Sequence, residues 1–383
     1  MISSINPFSG QIIEVFEPHS PAEVERGVAL AWQEFHCYKK TPLAARAAIL
    51  TRVVDILDAE KRRLAALMTE EMGKTLQSAE AEVVKCVDGC RYYAETAAAA
   101  LADMQIPDGP PGSSVKFQPL GPILAIIPWN FPFWQVFRCA APALMAGNTV
   151  LLKHAPNVPR CALVIEDIFR WAGLPEGAFQ ILLVEATEVE ALINDNRVAA
   201  VTLTGSETAG SAVASQAGRQ IKKTVLELGG SDPFIIMPSA NLEAAVSNGV
   251  KSRAMNGGQA CISAQRFIIA DSIYQDVENK FVQNMKLLKA GDPMDPTTDI
   301  GPLAGENRLQ DLDNQVRRAV AVGAKVLTGG RPLNGHGCLY EPTVLVDVPR
   351  SSEIYREEFF GPVAMLFHVQ NAAEAIELAN DKQ

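Results

Sequence analysis

The sequence predicts an α/β protein of two lobes, and three observations carry that expectation. From Gly121 onward, short β-branched or aliphatic runs alternate with helical runs, the pattern of parallel strands covered by helices. A stretch rich in Ala, Leu, Glu and Arg precedes them, its apolar residues recurring at three and four. With 383 residues, 48% of them hydrophobic, the chain exceeds the roughly 250 to 300 residues that one core supports. Two domains with a cleft between them are therefore expected.

In chain order, residues 21–104 read as helices, with the three-four spacing plainest over 44–67. The segment Ile106-Pro-Asp-Gly-Pro-Pro-Gly-Ser-Ser-Val-Lys-Phe-Gln-Pro is turn-rich and then strand-like, so it predicts a projecting hairpin suited to an oligomer contact. Strands are expected at 123–127, 149–153, 179–184, 200–204 and 224–228, in a parallel sheet. Such sheets place ligands at the carboxyl ends of their strands, where backbone N–H groups at helix starts hold phosphate, and most chemistry-bearing motifs are expected at such ends. A second α/β stretch begins at Gly229, with strands at 267–270 and 364–367 and helices at 242–256 and 274–288.

Charge and cysteines narrow the function. A formal charge of −10 without a Lys/Arg block argues against nucleic acid. Met1-Ile-Ser-Ser-Ile-Asn lacks the charged start and apolar core of a secretory signal, and the apolar stretches near Ile123 and Leu163 are too short or Pro-broken to span a membrane. A cytoplasmic metabolic enzyme is expected. Cys37, Cys86, Cys90, Cys139, Cys161, Cys261 and Cys338 form no CxxC pair and are expected as reduced thiols, most of them in the core. No metal site is expected, since Cys86 and Cys90, one helical turn apart, lack further ligands at zinc spacing. His19, His36, His154, His336 and His368 are scattered, which weakens a Ser-His-Asp reading.

Three segments carry candidate chemistry, each with a plainer alternative. Gly205-Ser-Glu-Thr-Ala-Gly210 follows a strand and opens a helix, so its N–H groups either hold a pyrophosphate or simply make a tight turn. Asn256-Gly-Gly-Gln-Ala-Cys261 sets a cysteine after a glycine-rich turn, either as a nucleophile activated by an electropositive setting or as a core thiol. Val225-Leu-Glu-Leu-Gly-Gly230 puts Glu227 in an apolar strand end, where burial makes it either a base of raised pKa or a structural hydrogen-bond partner.

Together with Pro128-Trp-Asn-Phe-Pro132 and Glu357-Glu-Phe-Phe-Gly-Pro362, these segments resemble the aldehyde dehydrogenase superfamily, in which five such turns occur in this order. The similarity runs from Asn6-Pro-Phe-Ser-Gly10 to Glu377-Leu-Ala-Asn-Asp381. It implies a Rossmann-like parallel-sheet cofactor domain (1–103 and 122–228), an oligomerisation hairpin (104–121) and an α/β catalytic domain (229–383). It implies that Cys261 attacks an aldehyde, that Asn130 and the Cys261 N–H hold the oxyanion, and that Glu227 deprotonates the water that hydrolyses the thioester. For NAD or NADP it implies Trp129, Gly205, Ser206 and Gly210 near the pyrophosphate, Lys153 at the adenosine ribose, Glu358 at the nicotinamide ribose and Phe360 beside the nicotinamide. The alternatives for Lys153 and Phe360 are a surface cation and a core ring. Pro156 stands where NAD-preferring members carry Glu, so poor discrimination against NADP is expected.

Arg138, on the helix after the Asn-Phe-Pro turn, either reaches the aldehyde tunnel or makes a helix-surface salt bridge. Phe133-Trp-Gln-Val-Phe-Arg138 and Lys153-His-Ala-Pro-Asn157 resemble bacterial succinate-semialdehyde dehydrogenases, in which this Arg receives the substrate carboxylate, a task suited to bidentate hydrogen bonding. Other small aliphatic or amino aldehydes are the alternative substrates, and an inactive binding descendant is the alternative outside enzymes. Met255 replaces a second tunnel Arg of some relatives, with Arg253 offset from it, and Ser263 replaces a regulatory Cys. Family members continue several dozen residues past Asn380-Asp381, so the given chain is expected to be shorter than its relatives, which form homodimers or homotetramers at full length.

Overall fold

Ser20 starts the first long helix by a capping box: its hydroxyl accepts from the Glu23 N–H, and the Glu23 carboxylate accepts from the Ser20 N–H at 2.7 Å. That helix follows a small two-stranded sheet, β1 (Ile2–Ile5) with β2 (Ile12–Phe16). The computed structural model describes residues 1–333, 335 and 337–381, so His336 lies outside the described residues.

The chain divides into two units. The first comprises Met1–Ser4, Ile12–Met68 and Ala79–Leu228. Its helical part holds α1 (Pro21–Tyr38), α2 (Leu43–Ala59), α3 (Lys61–Met72) and α4 (Leu76–Ala100), the last two running partly into the second unit. The hairpin is reduced to β3 (Met104–Gln105) against β4 (Ser114–Val115), with Met104, Ile106, Val115, Phe117 and Leu120 exposed. Then come β5 (Pro122–Ile127), α5 (Trp134–Met145), β6 (Thr149–His154), α6 (Pro159–Trp171), β7 (Phe179–Ile181), α7 (Val189–Asn194), β8 (Ala200–Gly205), α8 (Glu207–Arg219) and β9 (Lys223–Leu228).

These strands form one parallel sheet in the order β7-β6-β5-β8-β9. Strand β6 is buried along its whole length, as expected for the middle of a sheet covered on both faces. The chain moves one way from β5 to β7 and then back past β5 to β8, which makes the β5–β8 carboxyl ends a topological switch point.

The second unit takes Ile5–Gln11 and Thr69–Ser78 as well as the chain from Gly229. The expected boundary assigned both short stretches to the cofactor domain. They join the second unit because the Pro7 carbonyl accepts from the Cys338 N–H and the Pro293 carbonyl from the Leu76 N–H, both at 2.9 Å. Here β10 (Asp232–Ile236), α9 (Leu242–Ala254), β11 (Ala264–Ala270), α10 (Tyr274–Leu287), α11 (Glu306–Ala321), β12 (Lys325–Thr328), β13 (Thr343–Val346), β14 (Val363–Val369) and α12 (Ala372–Asn380) follow in order. The sheet runs β10-β11-β14-β13-β12, parallel except for β12 against β13. Val246, Val277 and Phe281 of α9 and α10 belong to one core cluster, and Leu312, Val316 and Leu378 of α11 and α12 to another.

The seven cysteines stand outside any disulfide, with Cys86, Cys90, Cys161 and Cys338 buried, Cys37 exposed, and Cys139 and Cys261 between. Among the described residues no helix is long and apolar enough to cross a membrane.

Candidate active site

In the first unit the expected residues gather at the carboxyl edge of the sheet. The end of β5 feeds the Pro128–Pro132 turn, and Ile127 is in register with His154 of β6. On the other side Thr204 of β8 is in register with Glu227 of β9. Asn130 is buried on this turn, Trp129 is partly exposed, and Lys153 at the end of β6 is buried, which pulls its ammonium pKa below the usual range. Ser206 is the N-cap of α8, its hydroxyl accepting from the Ala209 N–H at 3.3 Å, while Gly205 ends β8. Gly210 is buried with its α-carbon against the Leu228 side chain, so its missing Cβ brings α8 close to β9.

Two residues that the sequence did not mark hold the Asn130 turn. His154 is buried; its Nε2–H donates to the Pro132 carbonyl at 2.9 Å, and its Nδ1 accepts from the Ala155 N–H at 2.8 Å. Those partners require the neutral ring, and burial lowers its pKa from 6.5 to about 4. Glu82 of α4 reaches the other side of the turn, where one carboxylate oxygen accepts from the N–H groups of Phe133 and Trp134, both at 2.9 Å. It thereby satisfies the start of α5, which carries Arg138. A lone His and a Glu inside a helical run give no local sign of these roles.

Glu227 departs from the expectation. It is exposed rather than buried, because β9 is the edge strand of its sheet, and its carboxylate ion-pairs with the Arg138 guanidinium.

In the second unit the Cys261 and Glu358–Phe360 turns lie at the amino ends of their strands, so the carboxyl-end expectation holds for most of the motifs and these two are its exceptions. Helix α9 gives way to a 3-10 turn over Met255–Gly258, in which Asn256, Gly257 and Gly258 take φ of 55°, 65° and 75°. Three left-handed residues in a row favour an Asn-Gly-Gly sequence. Cys261 follows, partly accessible, just before β11. Glu358 and Phe360, also partly accessible, lie on the turn before β14, the strand beside β11. The two turns touch: a Cβ on Gly258 would collide with the Gly361 carbonyl. A Cβ on Gly229 would likewise occupy the space of the Glu358 carboxylate.

Glutamines and one arginine brace this arrangement. The Gln259 side-chain carbonyl accepts from the Ala304 N–H at 3.0 Å, and that of Gln265 from the Phe359 N–H at 2.9 Å. Arg253, fully buried, donates to the Gly258 carbonyl; burial lowers its pKa to about 10, against the pull of Glu358. It supports the cysteine turn from within the core and is not a surface neighbour of Met255.

A family model described as "Aldehyde dehydrogenase family" matches residues 1–383. The chain belongs to the aldehyde dehydrogenase family. Among aldehyde dehydrogenases it is 51% identical over 383 residues to a succinate-semialdehyde dehydrogenase [NADP(+)] of Mycobacterium avium, covering 99% of this chain and 81% of the relative. The similarly named protein 1 of Mycobacterium tuberculosis is also 51% identical, with 99% and 84% covered. The solved succinic semialdehyde dehydrogenase of Streptococcus pyogenes, in complex with NADP+, superposes with a TM-score of 0.97 at 34% identity, over 100% of this chain and 84% of that one. A lactaldehyde dehydrogenase of Escherichia coli gives 0.95 at 34%, over 100% and 80%. The aldehyde dehydrogenase architecture thus serves more than one aldehyde, and the fold alone does not select the substrate.

Proposed function

We propose that this aldehyde dehydrogenase oxidises succinate semialdehyde to succinate with NADP or NAD, through a thiohemiacetal and then a thioester on Cys261. The observation that carries the reading is an accessible cysteine on a left-handed Asn-Gly-Gly turn, in a chain 51% identical to enzymes of that name.

The first unit suits a dinucleotide: a 13-residue helix begins at a Gly-Ser turn beside a switch point, with a buried lysine on the same sheet edge. We assign Ser206, Gly205, Gly210 and Trp129 to the pyrophosphate region, Lys153 to the adenosine ribose, and Glu358 and Phe360 to the nicotinamide end. Pro156 is exposed and offers no carboxylate to repel a 2′-phosphate, which favours acceptance of NADP. When bound, the nicotinamide supplies the two-electron acceptor for the aldehyde.

Cys261 attacks the carbonyl carbon as a thiolate, and the Asn130 amide donates to the oxyanion, a contact worth roughly 3 to 4 kcal/mol in such transition states. Glu227 takes a proton from the water that cleaves the thioester, which returns the thiolate and releases the acid. Arg138 receives the substrate carboxylate through its planar fork of donors. Asn130, Glu227 and Cys261 are all present, which favours an enzyme over a binding descendant. We place the enzyme in the cytoplasm as a homodimer or homotetramer joined through the apolar β3–β4 hairpin, and light scattering on the purified protein tests that assembly.

The deciding experiment is a panel of acidic, neutral and amino aldehydes with NAD and NADP, followed by absorbance of the reduced cofactor. Succinate semialdehyde is expected to be best, Cys261→Ala to be inactive, and Arg138→Leu to lose acidic aldehydes alone. Activity surviving Cys261→Ala defeats the mechanism, and uniform loss across the panel in Arg138→Leu defeats the substrate assignment.

A further inference from the structure

Arg138 and Glu227 have separate tasks in the reading above, yet in the structure they hold each other. Arg138 stands on α5 and Glu227 on the edge strand β9, and a guanidinium nitrogen of the first meets a carboxylate oxygen of the second. The two side chains remain 34% and 47% exposed, so water screens the pair and it is weak enough to exchange. A carboxylate is what the guanidinium already binds here, and a second carboxylate competes on equal chemical terms.

We propose that Arg138 holds Glu227 in reserve, and that a carboxylate carried by the bound aldehyde takes the guanidinium and so releases Glu227 to activate water. The inference rests on the roles assigned above to Cys261, Glu227 and Arg138. An acyl group without a distal carboxylate leaves the Arg138–Glu227 pair intact, and its thioester waits. With the acidic acyl group, Glu227 is free to accept a proton from water as the water oxygen bonds to the thioester carbonyl carbon. The C–S bond breaks, sulfur leaves as the Cys261 thiolate, and the acid departs; nothing is oxidised or reduced in this step. Substrate selection is thus exercised at thioester hydrolysis as well as at binding.

Rapid-mixing kinetics of the full chain with NADP separate the steps. Butanal, which lacks the carboxylate, is expected to give a burst of reduced cofactor stoichiometric with active sites and then a slow steady state, whereas succinate semialdehyde gives no burst. Acetate supplied in solution is expected to raise the steady rate with butanal severalfold, up to about fivefold, as release of an exposed ion pair allows. Arg138→Gln is expected to raise that rate without acetate and to abolish the response to it, and Glu227→Gln to stay slow with both aldehydes and unresponsive.

A butanal steady rate indifferent both to acetate and to Arg138→Gln overturns the inference. Should Arg138→Gln fail to fold, which circular dichroism reports, the acetate response of the unaltered enzyme decides alone. Failure of the underlying reading looks different: succinate semialdehyde is not turned over, or turnover survives Cys261→Ala.

Discussion

At the scale of single residues, Arg253 shows what burial does to the meaning of an arginine. Its guanidinium has no exposed surface, donates to the Gly258 carbonyl and feels the Glu358 charge, so one cation links the cysteine turn to the neighbouring turn. Replacing it with Met leaves a buried carbonyl without that donor, a loss of about 1 to 3 kcal/mol. The expected outcome for Arg253→Met is slower alkylation of Cys261 by iodoacetamide and a raised KM for the dinucleotide, both partly restored in Arg253→Lys. A purely structural role predicts a lower melting temperature with the alkylation rate unchanged. In the sequence Arg253 is one cation in a helical run, since nothing local distinguishes a residue facing the core of α9 from one facing water. Glu227 is the converse case. Its apolar neighbours predict a buried carboxylate, but β9 lies at the sheet edge and the side chain is exposed and paired.

At the scale of elements, the Pro128–Pro132 turn is held by Glu82 of α4 on one side and His154 of β6 on the other. Glu82→Ala strips the acceptor from two N–H groups at the start of α5, which costs about 1 to 3 kcal/mol. We expect a lower melting temperature and a reduced kcat, with Glu82→Gln recovering most of both because its amide oxygen still accepts. An unchanged kcat in a folded Glu82→Ala variant separates the cap from the positioning of Asn130. The strands β5, β6, β8 and β9 were legible as apolar runs to within a residue or two. Strands β10, β12 and β13 are short runs that leave periodicity little to work on, whereas the 16-residue α11 carries a legible helical pattern in Leu309, Leu312, Val316 and Ala319 that the expectations above omit. The left-handed Asn-Gly-Gly turn was legible as glycine-rich, whereas its contact with Gly361 depends on β11 and β14 lying side by side.

At the scale of the whole molecule, buried His154 makes stability depend on pH. Its pKa falls from 6.5 in the unfolded chain to about 4 in the folded one, so between those values the unfolded state binds more protons. The native state keeps this contribution in full above about pH 6.5 and loses it as pH falls toward 4, by at most about 3 kcal/mol at 1.36 kcal/mol per pKa unit. Thermal melts across that window should show the loss, and His154→Gln should flatten it; a variant with the same pH slope removes His154 as the cause.

The amino-acid sequence by itself determined the α/β class, the position of each motif, and the residue types able to act as nucleophile, base and oxyanion donor. The class follows from local propensity and periodicity, while the roles of Cys261, Glu227 and Asn130 are what the five ordered motifs imply through their resemblance to the aldehyde dehydrogenase superfamily. Only the tertiary structure decided that Glu227 meets Arg138, that His154 and Glu82 brace the Asn130 turn, and that the second unit carries its motifs at the amino ends of its strands. Those facts depend on strand order and on which elements become neighbours, and a chain acquires such neighbours only by burying apolar surface between segments far apart along it.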